Sequence, residues 1–551
     1  MILQAGLLGL ANHLLFQKYE PTDALFAPSV LLLALEPLFL SLVSSAYSNG
    51  FLSLPPRNLV LSAYITFYAV LVTSVVLYRI SPFHPLAKVP GPLLFKISKF
   101  TPLWYYWHGE QSDIFAALHA QYGPVVRVAP NEISVADIDA VSSVLGSGGL
   151  PKGAAYIRFR VKSGPENLVT MNGDPHAARR RLWNRAMSTQ ALHEYEDIIS
   201  RRGHELVDAL ESQISISKGV VDITQWLNYF AFDFMSDLGF GAGSSMMRDG
   251  DLHKVWSGLH LHMRCVGILS HLPWIPDIRD RLPWFSMPLW PIARQWSATR
   301  LKTPARKKDI WYHLMDEAGL EKVKPSLAEV GADAVLTVIA GSDTSSCAMA
   351  SLFWFLLSHP GSYKRVREEI DSVYPPGSDP LDASKHSSLP YLAACIQESL
   401  RLLPPAPVSG AREVPYGSGG AEIAGHFLPE GTQVWVPPKV FHLNPSYFSP
   451  RTDEFVPERW LPSSSSCNEN SETTEFKNEP SAFLAFSYGP ANCAGRNLAR
   501  QEIMMIMSLL LQNFDFRFAD GYDWESWPRD LKSYFVTIRP PIQIAITKRG
   551  L

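Results

Sequence analysis

The stretch FSYGPANCAGRNLARQE, from Phe486 to Glu502, decides how the rest of the chain is read. Gly489, Pro490 and Gly495 frame a single cysteine, Cys493, and a helical pattern begins straight after it. A cysteine at a helix N-terminus feels the helix dipole and nearby backbone N–H groups, which lower its pKa and favour thiolate. Gly489 and Gly495 carry no Cβ and would let the backbone approach something flat and large. A thiolate in that setting is a good axial ligand for heme iron. The competing reading, a buried and inert cysteine in a turn, is weakened by the glycine framing.

Working upstream, Glu398-Ser-Leu-Arg401 places an acid and a base three residues apart on one helix face, where they can pair. Its apolar context, Leu389 to Leu403, suggests a buried pair that needs further partners, and Pro457-Glu458-Arg459-Trp460 offers a second arginine. Ala340-Gly341-Ser342-Asp343-Thr344-Ser345 interrupts a long apolar helical run from Val330 to Leu357. Gly, Asp and Thr are poor mid-helix residues, and a Thr can bond back to the preceding turn. The result is a groove lined by a carboxylate and a hydroxyl, suited to handing protons to a ligand on buried iron. A helix crossing with Asp343 satisfied locally is the alternative. In Asp174-Pro-His176-Ala-Ala-Arg179-Arg180-Arg181-Leu-Trp183, His176 and Arg180 share a face and suit an anionic group such as a heme propionate. Arg179 and Arg181 read as an exposed basic face that could steer an acidic protein partner.

Composition sets the frame. The 551 residues are 46% hydrophobic and 18% charged, with a net charge of −3, which excludes intrinsic disorder and gives no sign of a nucleic-acid partner. Five scattered cysteines form neither a disulfide framework nor a CxxC metal spacing, and fit a reducing compartment. The low charge is concentrated at the start. Leu59 to Tyr78 holds no charged residue, and twenty residues make a helix of about 30 Å, the thickness of a bilayer core. Arg79, Lys88, Lys96 and Lys99 follow it, a positive flank that belongs on the cytoplasmic side. Ala24 to Tyr47 is a second candidate span, weakened by Glu36 and Pro37, and Ile2 to Phe16 a short third. No basic residue precedes Leu3 and no cleavage site is evident, which argues against a signal peptide. Pro82, Pro85, Pro90 and Pro92 then read as a stiff hinge.

The expected organisation is a hydrophobic membrane region over 1–81 with one to three spans (59–78 the best), a proline-rich hinge over 82–92 and a catalytic domain over 93–551. Within that domain, Asp113 to Tyr122 looks helical, Pro124 to Val135 suggests a hairpin, helical patterns dominate from His176 to Leu403, and Val414 to Val436 shows short strands. Proline-rich turns are expected over Pro273 to Pro288, a polar surface loop over Ser463 to Pro480, and strands after the helix that ends near Phe514. The fold class is mainly α, an α+β arrangement with small sheets.

In their order along the chain, these motifs resemble the cytochrome P450 family, the heme-thiolate monooxygenases. The resemblance covers about Val89 to the C-terminus, with the cysteine loop its most specific signal. It implies a helix-rich P450 fold behind an N-terminal membrane anchor, with heme b as cofactor and Cys493 as the axial iron ligand. Asp343 and Thr344 would be the acid–alcohol pair that supports O–O cleavage. Glu398, Arg401 and Arg459 would form a structural charge triad, and Phe486 would pack beside the thiolate within the Gly489–Gly495 loop. His176, Arg180 and Arg412 would hold propionates, with His442 a weaker candidate. Pro404 to Ala411, Leu336 to Gly341 and Lys532 to Phe535 would line a substrate pocket. The family often has a basic residue two before the cysteine; Ala491 stands there, so one propionate contact is missing or supplied elsewhere. The basic helix often carries Trp where His176 stands, and the hydrophobic N-terminus is longer than the usual single anchor.

The tail after Cys493 is too short for a flavin domain, so electrons from NADPH would come through a separate reductase in the same membrane. The implied location is the endoplasmic reticulum, with the catalytic domain facing the cytosol. The implied activity is insertion of one oxygen atom from O2 into a small apolar substrate, with an organisation that resembles fungal secondary-metabolism enzymes. A heme-thiolate isomerase or dehydratase, and a non-catalytic membrane heme sensor, are the alternatives. Asp343 and Thr344 argue against the first and an intact cysteine loop against a decayed site.

Overall fold

The computed structural model describes residues 1–18, 25–50, 54–153, 156, 164–241, 243–269, 271–272, 289–302, 308–375, 377–462 and 475–550. The expected turns over 273–288 and most of the expected loop, residues 463–474, lie outside the described residues.

The chain opens with three apolar helices, α1 (Ile2–Lys18), α2 (Phe26–Asn49) and α3 (Arg57–Ile80). The last two are long and apolar enough to cross a membrane. Glu36 and Pro37 do not break α2, and Asn12 Nδ2 of α1 donates to Glu36 Oε2 at 2.5 Å. Small residues set the closest approach. A Cβ on Gly9 would lie 2.6 Å from the Phe67 carbonyl oxygen, so only glycine lets α1 and α3 touch there. Contacts advance together along both helices, from Gly6 beside Thr66 and Val70 to the His13 ring against Tyr78, so α1 runs parallel to α3. Tyr64 and Tyr68 of α3 donate to the carbonyls of Ala34 and Leu33, which makes α2 antiparallel.

The proline-rich segment is fastened to the globule. The Arg127 amide donates to the Pro90 carbonyl at 2.7 Å, and Gly91, at φ +156°, leaves no room for a side chain against Arg127. The buried Arg127 guanidinium also donates to the Arg79 carbonyl at the end of α3 (3.2 Å) and twice to the Pro130 carbonyl. The segment expected to act as a hinge is thus bonded to the first strand at Pro90, and the helix that precedes it is bonded there at Arg79.

That strand, Val125–Ala129, pairs antiparallel with Glu132–Val135, as the alternating valines imply. Gln433–Trp435 adds in parallel and Arg412–Glu413 closes the sheet. The helical body contains α4 (Gly173–Ala186), α5 (Thr189–Ile216), α6 (Ile223–Phe240), α7 (Val255–Leu269), α8 (Leu327–Ser358), α9 (Pro390–Leu402) and α10 (Arg496–Asn513). By length and composition α8 could pass for a membrane span, but most of it is buried against protein. It starts at a capping box, Ser326 with Glu329, and is apolar nearly all round, the pattern of a core helix. Helices α5, α6, α8, α9 and α10 share one large core, and a second core lies under the mixed sheet. A further sheet joins Phe514–Phe518, Gln543–Lys548 and Val220–Asp222. The expected helix-rich fold with small sheets is the one observed.

Candidate active site

The cysteine loop sits at the start of α10, whose N-cap is Gly495. The Cys493 amide donates to the Phe486 carbonyl at 2.9 Å and the Asn492 amide to the Gly489 carbonyl at 3.1 Å, which closes the loop into a tight cradle. Gly489 is needed for a different reason from the one its sequence suggests. It has φ +71° and packs against the Leu145 carbonyl, so it serves the loop's own turn and packing. Gly495 has open space where a Cβ would stand and lines a cavity with Cys493. The helix-start argument for a ready thiolate needs correcting. Burial raises the Cys493 pKa and outweighs the Gly495 amide and the Arg180 and Arg496 charges, which pull it down. The free thiol is therefore held neutral, and a bound cation is what would favour the thiolate.

The cavity has a volume of about 320 Å³. Leu336, Thr337, Ala340 and Gly341 of α8, Pro405, Ala406 and Ser409 of the turn after α9, and Phe535 of the C-terminal hairpin, in which Lys532–Ser533 pairs with Thr537–Ile538, line one part of it. All three segments expected at a substrate pocket thus contribute. The cysteine loop, with Phe486, lines another part, and Arg500 lies over the Phe486 ring at 5.2 Å.

His176 and Arg180 on α4 also reach this cavity. Arg180 donates to the Asn492 carbonyl (2.5 Å) and to Asn492 Oδ1 (2.6 Å), the residue just before Cys493. Arg412 is buried, donates to the Leu150 carbonyl at 3.3 Å and has a partnerless Nε. Lys152, which the sequence reading did not single out, is buried among them and bonds the carbonyls of Leu168 (2.8 Å) and Met171 (3.1 Å). Burial, then Arg412 and Arg180, lower Lys152 to about 7. Burial, then Lys152, Arg180 and Arg412, lower His176 to about 4, so it is neutral at pH 7. Four basic side chains gather here, and among the described residues no carboxylate forms an ion pair with any of them. Such a cluster calls for an anion. Heme b, with two carboxylates on a flat ring, fits the donor set, the open side of Gly495 and the accessible Cys493 sulfur.

Asp343 and Thr344 lie on α8, and the structure brings only Thr344 to the cavity wall. The Thr344 hydroxyl donates to the Ala340 carbonyl at 2.6 Å, the expected bond to the preceding turn, while α8 stays continuous through it. Asp343 is buried and accepts from Arg539 Nη1 at 3.0 Å, with His260 Nε2 at 3.8 Å. Burial raises its pKa, but the nearby His260 ring and the Arg539 charge outweigh that and hold it below the usual range. Arg539 also donates to Asn228 Oδ1 and to Ser346 Oγ, which ties the C-terminal hairpin to α6 and α8.

Behind the loop, Arg401 donates to both Glu398 oxygens at 2.8 Å and Arg459 Nε to Glu398 Oε1 at 3.0 Å, all with fully buried side chains. Trp460 Nε1 and the Val456 amide complete the carboxylate's shell. His442 is not a propionate ligand. It is fully buried away from the cavity, with Nδ1 on the Arg401 carbonyl and Nε2 accepting from the Leu484 amide at 2.9 Å. Burial lowers its pKa to about 3, so the neutral ring links the triad to the segment entering the cysteine loop. Arg179 likewise departs from expectation: it is buried and paired with Glu329 (2.7 Å) and Asp333 (3.4 Å), whereas Arg181 is exposed.

Across residues 89–546 the chain matches the family model described as Cytochrome P450. It is 30% identical to Cytochrome P450 67 of Uromyces fabae over 99% of this chain and 99% of that protein. It is 30% identical to the cytochrome P450 monooxygenase cpaH of Aspergillus oryzae, over 86% of this chain and 90% of the relative. It is 29% identical to the trichothecene C-15 hydroxylase of Fusarium sporotrichioides, over 86% of this chain and 95% of the relative. With a cysteine open to a largely apolar cavity and a basic cluster beside it, the chain belongs to the cytochrome P450 family of monooxygenases.

Proposed function

We propose that this chain is a membrane-bound monooxygenase of secondary metabolism that hydroxylates a small apolar compound with electrons from NADPH through a separate reductase. The observation that carries the reading is the cavity in which Cys493 and Thr344 meet an apolar wall. Bound there, heme b supplies dioxygen activation, and a thiolate ligand favours O–O cleavage. The chain's own residues supply the rest. Cys493 would hold the iron, and His176, Arg180 and Arg412 would hold the two carboxylates. Phe535 with the α8 and Pro405–Ser409 walls excludes water and orients the substrate. Thr344 Oγ1 gives its own proton to the Ala340 carbonyl, so its lone pairs can accept a hydrogen bond from a water in the cavity. Asp343, fixed by Arg539, keeps a charge one residue away. The Thr344 hydroxyl on the wall favours this reading over an isomerase.

The relatives named above as monooxygenase and hydroxylase support the reaction class, and their fungal sources support secondary metabolism. The up–down–up order of α1, α2 and α3 supports three spans, with the start of α1 on the lumenal side of the endoplasmic reticulum and the globule in the cytosol. Full-length protein reconstituted with NADPH–cytochrome P450 reductase tests the function. Small apolar candidates should displace the low-spin Soret band, and the compound that does so should be consumed with NADPH and O2. Product formed without O2 would overturn the monooxygenase reading in favour of an isomerase.

A further inference from the structure

We propose that Lys152 is a fourth basic ligand for the carboxylates of the cofactor and supplies the positive charge that this chain lacks at Ala491. The inference rests on the heme-binding reading above. Lys152 and Ala491 line the same cavity. The backbone of Lys152 is held from two sides. It forms a bridge with Arg412, and Asn172 clamps it by accepting from its amide (2.9 Å) and donating to its carbonyl (3.1 Å). Two donors of the ammonium go to the neutral carbonyls of Leu168 and Met171, which leaves one free for a ligand.

A structural role alone does not account for this residue. A buried ammonium among Arg180, Arg412 and His176 meets repulsion from its neighbours, and two neutral carbonyls do not offset it. A carboxylate placed among these groups would turn that repulsion into attraction and give Lys152 a charge-assisted bond. Ala491 contributes only a methyl group to the same cavity.

The test is the rate at which ferric holoenzyme, full-length and in lipid nanodiscs, loses heme to excess apomyoglobin. Lys152→Gln and Lys152→Ala should lose heme about tenfold faster, the scale of one charge-assisted hydrogen bond. Lys152→Arg should stay near the wild-type rate. Ala491→Arg in the Lys152→Gln background should restore retention, which a mere prop for the Leu168–Met171 turn would not allow. Unchanged heme loss in Lys152→Gln and Lys152→Ala overturns the proposal, as does faster loss that neither Ala491→Arg nor Lys152→Arg corrects. Wild-type protein that takes up no heme would overturn the underlying reading itself, and the carbon monoxide spectrum of each sample identifies that case.

Discussion

Asp343 and Thr344 are consecutive residues with opposite surroundings, because neighbours on a helix point about 100° apart. Thr344 meets the cavity, and Asp343 turns into protein, where Arg539 and His260 face it. Thr344→Ala removes the hydroxyl beside Ala340 and Gly341 on that wall, which Ser345, bonded to Glu502, does not replace, and should divert electrons to peroxide. Product per NADPH should fall several-fold with little change in substrate affinity; an unchanged ratio would remove Thr344 from proton handling. Glu502 offers a separate test by pH. It is buried, accepts from Ser345 Oγ at 2.9 Å and has a partnerless Oε1; burial raises its pKa to about 8. The folded chain then holds a proton that the unfolded chain releases near pH 4.5. This group should therefore lower stability as pH rises from about 4.5 to about 8, by at most about 1.4 kcal/mol per pH unit. Glu502→Gln should flatten the fall in urea midpoint between pH 6 and 8. An identical slope in the variant would mean that Glu502 is already ionised. Cys493, Thr344 and Glu398 could be read from local spacing. Arg539 could not, since it meets Asp343 across 196 residues.

The elements that carry the site are joined by buried charge. Glu398 on α9 receives Arg401 from its own helix, and Arg459 and Trp460 from the turn before the cysteine loop. Arg401 in turn donates to the carbonyls of His442, Thr452 and Glu454, so a single carboxylate organises four segments. Glu398→Ala would strand two buried guanidinium groups and should cost about 3–5 kcal/mol, seen as a lower denaturation midpoint and little heme-loaded protein. A loss below about 1 kcal/mol would show that these arginines find other partners. The i, i+3 spacing made the first pair legible, and the PERW motif pointed to the second arginine. What the local pattern hid was burial. Arg179 shares a polar-looking helix with Arg181, yet Asp333 and Glu329 of the distant α8 region draw it inside. Lys152 stands in a short glycine-rich stretch with no periodicity, and Arg412 identifies it only through a bridge formed in the fold.

For the molecule as a whole, apolar periodicity and motif order were enough for the helix-rich fold and for the apolar N-terminal helices. The docking of the proline segment was not visible, because Arg127 lies beyond it and proline patterns read alike in free and fastened linkers. The parallel packing of α1 on α3 predicts that a glycosylation acceptor added before Ile2 is modified in microsomes, while one added after Lys18 is not. Modification at the second site alone would contradict three spans with the globule in the cytosol. The central claim is that Cys493 ligates heme iron in this cavity. Purified full-length protein, reduced under carbon monoxide, tests it most directly by its difference spectrum. The wild type should show the red-shifted Soret band of thiolate ligation, and folded Cys493→Ala should lack it. A wild-type band of histidine or neutral-thiol type, or a thiolate-type band that survives Cys493→Ala, would contradict the assignment.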